Sequence, residues 1–291
     1  MLKTHSRLFS LLVLLLWPAL LSAADLKSET LRAWDSYVQG AQMRLQQRVR
    51  GQVSFLQVDE VPKLTEGVRA GEVMVEPEGG QSPNRVPGGL IHDWMGAVFI
   101  PSAKLDDVMA VLNEYERYKD FYRPLVVKSN LLEEGQNREL VRLLMVQKAY
   151  SVTAAVEADD EIRAVKLDGS RAYSISTSIR VQEIGDYGKP GAHALPQDQA
   201  PGYVWRTFSV IRLEQRDGGT YAEMEMIALS RGIPWSVRWL VQPLTEHLPQ
   251  KILAAMLVDT RDAVSAEIRA TCPATGESGT IVGASMTGMH R

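Results

Sequence analysis

The run L-I-H-D-W-M-G-A-V-F-I-P, residues 90–101, reads as an extended apolar strand that Pro101 stops. Working outward from it, strands are expected near 125–132, 138–150, 151–158, 162–168, 171–184, 203–216 and 219–230, with short turns between several of them. Asp217-Gly218-Gly219 is the strongest hairpin signal in the chain. Pro249 suits the first turn of a helix that runs to about Ile268, with Leu253, Met256, Leu257, Thr260 and Val264 on one face. A long, bent antiparallel sheet wrapped around one C-terminal helix makes this an α+β chain. Such an arrangement usually encloses an apolar space.

Between the first strand and the rest, Ser102 is placed to cap a helix beginning near Ala103, with Leu105, Val108, Met109 and Leu112 buried. The aromatic-rich turn Y-E-R-Y-K-D-F-Y-R-P follows and ends at Pro124. Upstream, residues 26–50 read as a helix with a narrow apolar stripe of Leu31, Trp34, Val38, Ala41, Leu45 and Val49. That stripe suits either docking on the domain or pairing with a second copy as a coiled-coil dimer. Residues 59–89 form a connector of little period, with Val73-Met74-Val75 as a short edge strand. The Pro/Gly cluster at 77–89 is the candidate boundary. The loop 185–202, rich in Pro and Gly, is a functional flap or a disordered insertion.

The ends are addresses and tails. Lys3 and Arg7, the apolar run Leu8–Leu21 and the small residues Ser22-Ala23-Ala24 follow the plan of a secretory signal peptide over residues 1–24. Residues 25–86 are then the N-terminal helix and connector, 87–268 the main domain, and 269–291 a disordered tail. The expected location is periplasmic or secreted. The chain of 291 residues carries a net charge of −3, and loses two positive charges more with the leader. That balance argues against a nucleic-acid partner. The single cysteine, Cys272, excludes an intrachain disulfide, so the core rests on packing.

Strand parity separates the two faces of the sheet. Pairing through the 217–219 turn puts Arg212 on one face with Glu223 and Glu225. It puts Trp205 and Ile211 on the other face with Ala222, Met224, Met226 and Ala228. Burying unpaired ions costs several kcal/mol each. The expectation is therefore that Arg206, Arg212, Glu223 and Glu225 face solvent and the Met/Trp face points inward. The same reasoning turns Tyr173, Ile175, Thr177, Ile179 and Val181 inward and leaves Ser174, Ser176, Ser178 and Arg180 outside. The inner face is apolar and dotted with hydroxyls, including Tyr203 and Ser209, and methionine suits flexible ligands.

Catalytic spacing is missing: there is no phosphate-binding glycine loop, no G-x-S-x-G and no H-E-x-x-H. His92 and Asp93 are neighbours on a strand and point to opposite faces. Asp159-Asp160-Glu161 reads as a solvated turn. Trp235 and Trp239, one helical turn apart, suit a pocket mouth, transient contact with a membrane surface, or core packing. No catalytic residue, metal ligand or cofactor site is assigned.

The segments W-M-G-A-V-F-I-P (94–101), S-T-S-I-R-V-Q-E-I (176–184), G-Y-V-W-R (202–206) and E-M-E-M-I-A-L-S-R-G-I-P (223–234), with the final Pro-led helix, resemble the START-like, or SRPBCC, superfamily. The resemblance covers roughly residues 87–268. It implies a helix-grip fold: a curved antiparallel sheet gripping a long C-terminal helix around a hydrophobic cavity, here with an extra N-terminal helix. Members bind lipids, sterols, polyketides or plant hormones, and some are cyclases or hydrolases. The expected site is ligand-binding, made by Tyr173, Ile175, Thr177, Trp205, Thr207, Ile211, Met224, Met226, Leu253 and Met256. Three functions remain open at this point: a binding or carrier protein for a lipid-like small molecule, a cyclase- or hydrolase-type enzyme, and an interaction protein whose cavity is filled by its own side chains.

Overall fold

A computed structural model describes residues 26–149, 152–196, 200–232 and 238–271. The leader, Trp235 and Cys272 lie outside the described residues, as do the side chains of Trp239 and His247. The chain opens with α1 (Ser28–Val49), then α2 (Pro62–Arg69) and two short strands, β1 (Met74–Pro77) and β2 (Asn84–Val86). After β3 (Gly89–Pro101) come α3 (Leu105–Asn113) and α4 (Tyr118–Phe121). The remaining strands are β4 (Val126–Glu134), β5 (Glu139–Ala149), β6 (Val152–Lys166), β7 (Arg171–Gly185), β8 (His193–Ala194), β9 (Arg206–Arg216) and β10 (Gly219–Arg231). Helix α5 (Arg238–Thr271) closes the described chain. All pairings are antiparallel and the sheet runs β1-β3-β10-β9-β7-β6-β5-β4, with β2 on β3 and β8 on β7. A curved antiparallel sheet with a helix at each end of the chain is the α+β, helix-grip architecture.

Several local readings change. Strands expected at 151–158 and 162–168 are one strand, β6, so Asp159-Asp160-Glu161 is mid-strand and no turn. Helix α5 begins at Arg238, well before Pro249, which sits in its interior. Ser102 does not cap α3; it adopts φ 62° in the preceding turn, and Asp107 Oδ2 accepts from the Lys104 amide at 2.8 Å instead. The loop after β7 folds back as β8, pairing Ile184 with Ala194, and residues 197–199 lie outside the described set. The connector contains α2, whose Leu64 and Val68 pack on Met95, Ala97 and Tyr221. The Asp217-Gly218 hairpin is as expected, with both residues at positive φ, the requirement of a two-residue primed turn.

The sheet is covered on both faces. On the concave face, Trp94, Val98, Ile100, Ala222 and Met224 pack with α3 and with Leu253, Leu257 and Val264 of α5. A Cβ at Gly96 would lie 2.7 Å from Leu257 Cδ1, so the missing side chain is what lets α5 approach β3 there. On the convex face, α1 lays Trp34, Ala41 and Leu45 against Ile91, Phe208, Val210, Ile227 and Leu229. The apolar stripe of α1 is thus used for docking, the first of its two expected roles. Burying such side chains stabilises by about 1.5–3 kcal/mol each.

This second cover corrects the charge assignment. The shared faces are as expected, and the register sets Glu223 opposite Arg212 and Met224 opposite Ile211. The charged residues do face away from α5. Three of the four do not face solvent: Arg212 is 1% exposed, Glu223 0% and Glu225 1%, while Arg206 is half-buried. Arg212 Nε donates to Glu223 Oε1 at 2.7 Å, and the backbone amides of Gln57 and Val58 donate to the same carboxylate at 3.0 and 2.7 Å. Arg44 of α1 reaches Glu225 and lies 3.6 Å from Asp93, whose Oδ2 also accepts from Tyr37 Oη at 3.0 Å. Backbone and α1 donors therefore compensate the buried ions, which sequence parity alone did not foresee.

One consequence is a dependence on pH. Burial, reinforced by the neighbouring Glu225, pushes the Asp93 carboxyl up to about 8. The folded protein thus keeps this proton through a range where the unfolded chain has lost it, from about pH 4 upward. Stability from this group is present at low pH and falls as pH rises through about 8. Melting temperature is expected to fall between pH 6.5 and 9, and to fall less in Asp93→Asn. Parallel curves for the two proteins would show that Asp93 does not titrate as described.

Candidate functional site

The central strands show which face stays open. On β9 and β10 the convex-facing Phe208, Val210, Arg212, Glu223, Glu225, Ile227 and Leu229 are all at or below 1% exposure. Their concave-facing neighbours Thr207, Ser209, Ile211, Met226, Ala228 and Ser230 remain partly accessible, as do Ser174 and Ser176 on β7. At one end the concave face is closed by Val98, Ile100, Leu105, Val108 and Val264. It is also closed by the tyrosines of the 115–122 turn. Tyr122 Oη lies 3.1 Å from Thr260 Oγ1, whose own hydrogen goes to Met256 O at 2.8 Å, so the tyrosine donates.

Of the expected site residues, Thr207, Ile211, Met224 and Met226 are on the concave face, and Leu253 and Met256 face it from α5. Tyr173, Ile175 and Thr177 are not on that face. Tyr173 pairs with Arg212, Ile175 with Val210 and Thr177 with Phe208, and the first two pack on the α1 cluster. Apolar character on β7 marks the side covered by α1, and Ser174 and Ser176 take the concave side. Trp205 also joins the α1 cluster. It precedes β9, and its amide donates to Leu229 O at 2.7 Å although Leu229 already pairs with Arg206. Two residues against one is the count of a β-bulge, which breaks the alternation.

The concave face also holds polar groups that sequence reasoning passed over. His92, Ala228, Thr207, Ser178 and Asp160 form one row across β3, β10, β9, β7 and β6. Ser178 Oγ accepts from the Thr207 amide at 2.8 Å. Asp160 is 6% exposed and its Oδ1 has no partner among the described residues. Burial, helped by Asp159 and opposed by the Thr207 hydroxyl, pushes the Asp160 carboxyl up to about 6. His92 is also 6% exposed, with Nε2 2.9 Å from Ser230 Oγ and Nδ1 unpartnered; burial lowers it to about 4, so it is neutral near pH 7. Trp94 Nε1 on the same face has no partner among the described residues. His92 and Asp160 stand at opposite ends of the row, with three residues between them, and form no dyad. Asp93 points to the other face, as strand alternation requires.

A separate depression of about 240 Å³, lined by residues 113–117 and Leu131, lies at the junction of α3 and α4 and not between sheet and α5. Its rim is Asn113, Glu114, Glu116 and Arg117, and it has no part in the site.

The sheet order and the C-terminal helix on the concave face define a helix-grip fold. No family model matches the chain, and no curated protein matches it. Among solved structures it is similar to a STAR-related lipid transfer protein from Xanthomonas axonopodis, at 19% identity and TM-score 0.39, covering 61% of this chain and 96% of that one. Human STARD10 is similar at 10% identity and TM-score 0.41, covering 63% of this chain and 73% of that one. An aromatase/cyclase from a Streptomyces is similar at 15% identity and TM-score 0.39, over 62% and 97%.

Proposed function

We propose that this chain is an exported binding or carrier protein for a lipid-like apolar small molecule, held between the concave face and α5. The observation that supports it most is the accessible concave face of β9 and β10, opposite a convex face that is sealed. Ile211, Met226 and Met256 would make the apolar lining, with Met224 and Leu253 packed behind it and Thr207, Ser209 and Ser176 as scattered hydroxyls. The enzyme reading lacks a paired acid and base among the described residues of this face.

The test uses two alanines on the same strand. Ala228 lies in the accessible middle, whereas Ala222 is 2% exposed in the packed end. Ala228→Leu is expected to block uptake of a fluorescent fatty acid or sterol with little change in melting temperature. Ala222→Leu is expected to cost roughly 1–3 kcal/mol by overpacking. If both variants were equally destabilised and the unaltered protein took up neither probe, the interior would be solid and the interaction-protein reading would replace this one. Export rests on the leader: N-terminal sequencing of the secreted chain should read Asp25-Leu26-Lys27, and a full-length chain retained in the membrane would remove that part.

A further inference from the structure

We propose that Asp160 receives the polar end of the ligand, and that this end is a hydrogen-bond donor, a hydroxyl or an amino group, on an otherwise apolar molecule. The proposal rests on the binding-protein reading and narrows its ligand class. Asp160 stands where the closed end meets the open middle. On one side is Tyr118 of α4, whose hydroxyl is committed to Leu112 O. On the other are Thr207 and Ser209, which stay accessible. Its pair partner across β5 is Val141, 0% exposed and apolar, which supplies no donor.

The contrast with its neighbour sharpens the point. Asp159, on the opposite face, is held by two arginines: Arg142 Nε at 2.6 Å and Arg180 Nε at 2.9 Å. Both arginines are spent on the convex side, so Asp160 has no cation among the described residues. The Thr207 hydroxyl reaches the carboxylate but leaves Oδ1 without a partner among the described residues, and a buried acceptor left so is costly in a folded protein and calls for an explanation. A ligand donor would supply the missing hydrogen bond. A ligand carboxylate would instead meet a like charge in a poorly solvated place and be excluded. Because Asp160 is a strand residue fixed by pairing on both sides, it is preorganised for this role.

The probes are molecules of one chain length and different heads: 1-hexadecanol, hexadecylamine and palmitate, each displacing the neutral dye Nile red from the full chain at pH 7.5. The alcohol and the amine are expected to bind about ten-fold or more tightly than palmitate, the scale of one charge-assisted hydrogen bond. Asp160→Asn, which keeps the shape and removes the charge, should still take up Nile red while palmitate gains on the other two. Asp160→Leu should lose the preference for the alcohol and amine as well. Equal affinities in the unaltered protein, or an undiminished gap in Asp160→Asn, would overturn the assignment while leaving the cavity intact. Failure of the unaltered protein to take up Nile red at all would overturn the binding-protein reading and this assignment with it.

Discussion

Replacing Arg212 by alanine is expected to lower the free energy of unfolding by about 3–5 kcal/mol, the range for removing one member of a buried ion pair. The side chain is 1% exposed and donates to Glu223 at 2.7 Å, with Glu225 3.8 Å away. Without it, Glu223 keeps the amides of Gln57 and Val58 but loses its only cation among the described residues, and a large space opens beneath the connector. The double change Arg212→Met with Glu223→Gln should recover much of the loss, because it removes both charges and keeps most of the volume. Equilibrium urea unfolding would measure all three proteins. A loss under about 1 kcal/mol for Arg212→Ala would match an exposed pair and would mean that α1 does not cover this face.

The second large effect concerns the helix that makes the cover. Trp34→Ala is expected to cost about 3–5 kcal/mol, the range for truncating a large buried aromatic side chain. Trp34 is 6% exposed and belongs to the cluster with Trp205, Phe208 and Ile227. Met43 on the same helix is 58% exposed, and Met43→Ala should stay within about 0.5 kcal/mol. If both variants unfolded at the same urea concentration as the parent, α1 would be an appendage and not part of the core. The cost of Trp34→Ala and that of Arg212→Ala should not simply add. Both act on the α1–sheet contact, and the first loosens the cover that makes the second expensive.

Strand and helix identities were legible in the sequence because they depend on local period and on turn chemistry. The Asp217-Gly218-Gly219 turn determined a hairpin, and with it the common face of Arg212, Glu223 and Glu225. The apolar stripe of residues 28–49 determined a helix with one buried side. Alternation also determined that His92 and Asp93 part to opposite faces. Half-legible was the site: Thr207, Ile211, Met224 and Met226 were separable from the charged face by parity alone.

Tertiary structure decided what covers each face, because parity distinguishes two faces without saying what layer lies on either. The sequence suggested an apolar inside and a charged outside. The chain instead covers the charged face with α1, whose Arg44 and the Gln57 and Val58 amides after it supply the donors that make buried carboxylates tolerable. That same layer claims Tyr173, Ile175 and Trp205, so the apolar residues of β7 turn away from α5 and its serines turn toward it. Asp160 was illegible for the same reason. Within Asp-Asp-Glu it looks like a solvated turn. Only the long pairing of β6 with β5 and β7 shows that one carboxylate of the three is carried to the concave face, away from both arginines.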